Sequence, residues 1–137
     1  MKEIPVGVRG RYSLVVKPEH LANRFKDAML PPVLATPVMV MAMENAALNA
    51  IKACLDPGES AVGTRIEIRH LAATPVGANV VAEAEVTRVE GRRIEFTVGA
   101  VDDREEIGVG THERMVVDVA RLLMRLDAKR ASIVKGA

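Results

Sequence analysis

Glu44 is the one charged residue between Pro37 and Ile51, in a stretch otherwise built of valines, methionines, alanines and other uncharged residues. A carboxylate buried without partners is costly, or stays protonated. Glu44 therefore either reaches a helix edge facing solvent or a dimer seam, or it belongs to a site. A second ionisable group, His70, is the polar member of an alternating stripe with Ile66 and Ile68. That stripe faces the side of a sheet that must be covered by the helix carrying Glu44. Two ionisable groups aimed at one interface set each other's pKa values, as acids and bases working near neutral pH do. The plain alternative for His70 is a core histidine bonded to a backbone carbonyl. Thr36 is the third candidate. It suits a helix N-cap, and a helix N-terminus also offers free N–H groups and a positive dipole end to an oxyanion. With a regular helix from Pro37, Thr36 and Glu44 stand about 12 Å apart along the axis, at about 1.5 Å per residue. Contact between them then needs a later helix start or a site combining two subunits.

The remaining histidines are lesser candidates: His20 lies in a polar connector, and His112, in GTHER, lies on a strand of undetermined facing. No metal-ligand spacing, phosphate-binding glycine loop or GxSxG nucleophile elbow occurs. Cys54 is the only cysteine. It excludes an internal disulfide, fits a reducing compartment, and is expected to pack against the helix.

The elements that must position these residues follow from the pattern. RGRYSLVV alternates, with Tyr12, Leu14 and Val16 on one face, and reads as a first strand. A polar connector with room for a short helix ends at Pro31 and Pro32. Thr36 as N-cap, Pro37 at the first helical position and Asp56-Pro57-Gly58 as a stop predict a helix of about five turns, apolar nearly all round. The period then changes to two. Ile66, Ile68 and His70 oppose Arg65, Glu67 and Arg69; Val80, Ala82, Ala84 and Val86 oppose Glu83 and Glu85; Ile94, Phe96, Val98 and Ala100 point inward. Turns are expected at Glu90-Gly91 and Asp102-Asp103, then a last strand from near Ile107 through VGTHERMVVDV with a bulge at its glycines. An α+β fold results: an antiparallel sheet wrapped around one long central helix.

At 137 residues, with 49% hydrophobic and 27% charged residues, the chain is expected to form a single domain over residues 1–137. A net charge of +1 and 2% aromatic residues give no case for nucleic acid. No apolar run has the length of a membrane span and no signal peptide is evident, so a cytoplasmic protein is expected.

The chain resembles the hot-dog-fold thioesterases, most closely the fluoroacetyl-CoA thioesterase group. LATPVMVMAMENA, PGESAVGT, HLAATPVG, VEGRR and DREEIGVGTHER carry the resemblance, in order and in spacing, over roughly residues 30–118. It implies a hot-dog fold and hydrolysis of an acyl-CoA thioester without metal or organic cofactor. It also implies a homodimer with sites at or near the subunit interface, a tetramer being a further assembly left open. The family's catalytic Thr, Glu and His fall on Thr36, Glu44 and His70. Its pocket glycine matches Gly63 and its strand arginine matches Arg114. The lid phenylalanine pair of the fluoroacetyl-specific enzyme is not matched: Asp27 and Leu30 stand at the gap-free equivalents, and Phe25 is the only aromatic nearby.

Hydrolysis by such a trio has two versions. In one, His70 takes the Thr36 proton and Glu44 orients His70; in the other, Glu44 or His70 deprotonates water. Thr36, Glu44 and water stay open as the attacking group. Arg65, Arg69, Arg88, Arg92 and Arg93 are available to the coenzyme's phosphates. The competing reading is a non-catalytic acyl-CoA or acyl-ligand binding module on the same fold, in which Glu44 and His70 are structural.

Overall fold

The computed structural model describes residues 1–136, and side chains through Val134. Its elements run β1 (Arg9–Val15), α1 (Ala22–Phe25), α2 (Thr36–Ile51), β2 (Glu59–His70), β3 (Asn79–Glu90), β4 (Arg93–Val101), β5 (Glu106–Asp118) and α3 (Val119–Gly136). Single 3₁₀ turns precede α1 and follow α2. The five strands form one antiparallel sheet in the order β1-β3-β4-β5-β2, so β1 and β2 are its edges.

The alternation of β3 and β4 decides which face is inside. Val80, Ala82, Ala84 and Val86 are buried, as are Ile94, Phe96, Val98 and Ala100. Against them lies one side of α2, contributing Val38, Met39, Ala42, Met43, Ala46, Ala47, Ala50 and Ile51. The small residues of that side let β1 approach closely. A Cβ at Gly10 would collide with the backbone of Ala46 and Ala50, so only glycine fits there. This curled sheet around one long helix is the hot-dog arrangement expected from the sequence.

Several expectations need correction. The N-cap of α2 is Ala35, with φ −68° and ψ 136°, and Thr36 is the first helical residue with Pro37 after it. The hydroxyl of Thr36 is free of capping because it bonds elsewhere. The helix is also not buried all round. Pro37 and Met41 are exposed, and Val40, Glu44, Asn45 and Leu48 half-exposed, which makes an outer stripe at helical spacing. The inner face of β2 is only partly covered, with Ala61 buried but Ile66 37% exposed, because α2 packs mainly over β1 and β3.

The β3–β4 turn falls one residue later than expected: Glu90 pairs with Arg93, and Gly91 takes φ 62°, as the first position of a type II′ hairpin requires. In β5 the bulge falls at Ile107, next to the glycines rather than on them, since Ala100 pairs with Gly108 and Val101 with Glu106. A further bulge interrupts β2 between Gly63 and Arg65. The last strand also stops sooner than its apolar run suggests: at Val119 the chain turns into α3, where the carboxylate of Asp118 accepts the Arg121 N–H. No helix among the described residues is long and apolar enough to cross a membrane.

Candidate active site

The structure divides the sequence-derived candidates between two places. At the first, Thr36 on the first turn of α2 and His70 at the end of β2 share a 2.8 Å hydrogen bond between Oγ1 and Nδ1. Both line a cavity of about 390 Å³ whose walls are otherwise mainly aliphatic, including Ala22, Leu30, Val33, Leu34 and Leu71. Lys26 is the one charged side chain lining it. Burial draws the His70 imidazole below its ordinary pKa, and the nearby Ala72 backbone partly offsets this. The ring therefore resists protonation more than a free imidazole does. The other ring nitrogen, Nε2, is buried without a well-formed hydrogen bond among the described residues.

At the second place, Glu44 reaches from α2 toward β2 and β5. A cavity of about 250 Å³ is lined by Glu44, Gly63, Thr64, Arg65, Ile66 and His112. Gly63 makes room for this cluster. A Cβ built there would lie 3.0 Å from Glu44 Oε2, 3.3 Å from His112 Cε1 and 3.7 Å from Arg114 Nη1. Arg114 is buried, and its Nη2 donates to the Ala61 carbonyl at 2.6 Å. Burial lowers the guanidinium's pKa, and the nearby Glu44 carboxylate opposes that shift. No cluster of potential ligands that could hold a metal ion occurs among the described residues.

Thr36 and Glu44 are therefore not in contact within one chain, and neither are Glu44 and His70. Within one chain His70 and Glu44 do not meet, because α2 touches the end of β2 at its first turn, through Thr36, and Glu44, about two turns further on, lies beside Gly63. Gly63 and His70 lie about 23 Å apart along β2, at about 3.3 Å per residue.

The sequence left the facing of His112 undetermined, and the structure turns it inward. It is 3% exposed and central to the second cluster. The signal was available: His112, Arg114 and Val116 alternate, and an inward Val116 puts all three on one face. Of the arginines considered for the coenzyme, Arg65, Arg88, Arg92 and Arg93 each pair with a carboxylate, namely Glu67, Glu90, Glu59 and Glu113. The connector before α2 gives this cavity no phenylalanine wall: Phe25 is 53% exposed and does not line it, whereas Leu30 does.

A curled antiparallel sheet around one long helix is the fold of solved thioesterase superfamily members. The family model described as FlK, fluoroacetyl-CoA-specific thioesterase, matches residues 16–120, and the chain belongs to that family. It is 41% identical over 129 residues to the fluoroacetyl-CoA thioesterase of Streptantibioticus cattleyicolor, covering 90% of this chain and 93% of that protein. The crystal structure of the fluoroacetyl-CoA thioesterase FlK superimposes with a TM-score of 0.89 at 38% identity, covering 93% of this chain and 98% of that one. A thioesterase superfamily member from Thermus thermophilus gives 0.87 at 34% identity, covering 96% and 99%.

Proposed function

We propose that the protein hydrolyses an acyl-CoA thioester to the free acid and CoA, with Thr36, His70 and Glu44 as the reacting groups. The observation that carries this reading is the Thr36–His70 hydrogen bond at the wall of an aliphatic cavity. Thr36 Oγ1 attacks the thioester carbonyl while its proton passes to His70 Nδ1. CoA then leaves as the thiol, taking that proton, and the acyl group remains on Thr36. The first turn of α2 supplies N–H groups and a positive dipole end to the carbonyl oxygen as it becomes an oxyanion. Water then attacks the acyl ester as Glu44 takes its proton, and that proton passes to Thr36 Oγ1 as the acid departs, which regenerates both groups. In this reading Glu44 does not orient His70, whose second nitrogen is buried within its own subunit.

Glu44 reaches the acyl group from a second copy of the chain. Three features support this. β2 is a sheet edge, it exposes Val62 and Ile66, and the outer stripe of α2 beside it is largely apolar. A two-fold pairing of β2 with its own copy, centred near Ile66 and Glu67, sets Gly63 of one subunit opposite His70 of the other. The homodimer follows from that pairing. Gly63 and Arg114 then border the substrate beside Glu44.

The relative's name specifies fluoroacetyl-CoA. This chain's aliphatic rim instead favours acyl groups with a larger apolar body. The test is free-thiol release from acyl-CoAs running from acetyl and fluoroacetyl to octanoyl and phenylacetyl, with the wild type and Glu44→Ala compared. Turnover of one thioester that falls about a hundredfold in folded Glu44→Ala is expected. CoA thioesters that bind without turnover would instead identify a binding module.

A further inference from the structure

We propose that His112 is a positioning residue of this site: as the neutral imidazole protonated on Nδ1, it fixes the Arg114 guanidinium beside Gly63 and Glu44. The inference rests on the reading that Glu44 acts in hydrolysis.

The hydrogen bonds admit one protonation state. An arginine nitrogen only donates, so Arg114 Nη1, 3.1 Å from His112 Nε2, requires a lone pair on Nε2. The ring proton then sits on Nδ1, where it donates to the Arg65 carbonyl at 2.7 Å. Arg114 Nη2 in turn donates to the Ala61 carbonyl at 2.6 Å. Backbone anchors on β2 thus grip the pair from both ends, and the guanidinium is held on the side of the cluster where Glu44 lies.

The groups packed round the ring pull both ways: burial and Arg114 favour the neutral form, whereas the Arg65 carbonyl, Glu44 and Glu113 favour the cation. Phe96 on β4 stacks on it, with ring centroids 5.8 Å apart and planes 26° off parallel. Arg114 faces it from β5, Glu44 from α2, and Glu113 from the neighbouring position of β5. Arg65 on β2 presents its carbonyl. A proton added to Nε2 would set an N–H against the Arg114 N–H and a second positive charge beside the guanidinium. Arg114 would then have to move, and the space beside Gly63 that Glu44 shares would change shape. The Arg114 Nε has no hydrogen-bond partner among the described residues, so His112 and the Ala61 carbonyl are what hold the buried guanidinium. Its burial at 8% exposure is best accounted for by a task at Glu44.

Two measurements on the full chain decide the matter. NMR nitrogen shifts of wild-type His112 near neutral pH are expected to report the Nδ1–H tautomer; an Nε2–H or cationic ring overturns the proposal. The second measurement is kcat and KM on the acyl-CoA of the panel turned over fastest, for His112→Phe, His112→Gln, Arg114→Met, the double variant His112→Phe/Arg114→Met, and Glu44→Ala. His112→Phe keeps the stack on Phe96 but removes both hydrogen bonds, and its kcat is expected to fall about 10- to 100-fold with little change in KM. His112→Gln, whose amide oxygen can accept from Arg114, should recover much of that loss. In the Arg114→Met background, His112→Phe should cost nothing further. Wild-type kcat in His112→Phe overturns the proposal, as do equal losses in the Phe and Gln variants that add to the Arg114→Met loss. Undiminished turnover in Glu44→Ala removes the catalytic reading of Glu44 and this inference with it. Lost turnover in Glu44→Ala beside normal turnover in His112→Phe removes this inference alone.

Discussion

Thr36 Oγ1 and His70 Nδ1 are 2.8 Å apart although 34 residues separate them and the elements that carry them, α2 and β2, scarcely pack together. The contact lies where the helix begins and the strand ends. In the proposed mechanism the two groups act as one unit, so their substitutions should not add. Thr36→Ala and His70→Ala are each expected to lower kcat by about 10²–10⁴, and the double variant should be no slower than the slower single. Steady-state kinetics on the four proteins checks this, and additive losses would mean that the two side chains act separately.

The split between the Thr36–His70 pair and the Glu44 cluster predicts complementation. Thr36→Ala and Glu44→Ala homodimers are both inactive in the proposed mechanism. A mixed dimer carries one site with an intact Thr36 and His70 from one subunit and an intact Glu44 from the other. Unfolding and refolding an equal mixture should therefore restore about a quarter of wild-type turnover, from random pairing of two-site dimers. A site complete within one subunit would restore none.

Gly63 sets the space beside Glu44. Gly63→Ala would bring a methyl group to within 3.0 Å of Glu44 Oε2 and 3.3 Å of His112. The Glu44 carboxylate is the end of a flexible side chain and can yield, so the expected cost is to geometry rather than stability. Gly63→Ala should lower kcat by about tenfold or more, with a stability change of about 0.5 kcal/mol or less in denaturant unfolding. A large stability loss would identify Gly63 as a packing residue.

The legible part of this chain was the part in which one physical rule dominated. In β3 and β4 both faces have unambiguous partners, and every residue placed inward by alternation is buried there. Thr36, Glu44 and His70 stood out because polar side chains interrupt otherwise apolar stripes. Their grouping did not follow. A strand stripe tells which face a residue is on but not whether a helix covers it, and α2 covers β2 only in part. His112 stayed ambiguous because its neighbours Gly108 and Gly110 carry no side chain that marks the inward face. The C-terminal helix went unread because Val116, Val117 and Val119 continue a strand-like run past Asp118, the residue that caps it. Val119, Leu122, Leu123 and Leu126 do recur at helical spacing and were the usable signal.

Both site histidines are predicted to make stability depend on pH in one direction. Burial is the first cause of the lowered pKa of His70 and of His112, while the unfolded chain titrates near 6.5. As pH falls below that value the unfolded state takes up protons that the folded state resists. Stability therefore decreases from about pH 6.5 downward, until the lowered folded pKa values are passed, and these two groups contribute no change above it. Urea unfolding across this range should show the loss, and His112→Phe should flatten part of it. An unchanged slope in His112→Phe would show that this ring is as easily protonated folded as unfolded.

Acyl selectivity should respond to the rim. Leu30 lines the cavity that holds Thr36 and His70, and no aromatic side chain does so among the described residues. Leu30→Phe puts a larger, flatter group on that wall and removes volume from a cavity of about 390 Å³. Short acyl groups such as acetyl and fluoroacetyl lose little from this, whereas octanoyl and phenylacetyl chains lose the space their apolar body fills. A methylene gained or lost in an apolar pocket is worth about 1–3 kcal/mol, so the ratio of kcat/KM for acetyl-CoA over octanoyl-CoA should rise at least about tenfold in Leu30→Phe. The ratio is the informative quantity, because a defect in Thr36 or His70 would lower both values together. An unchanged ratio would place the acyl chain elsewhere and exclude Leu30 from the wall that selects it.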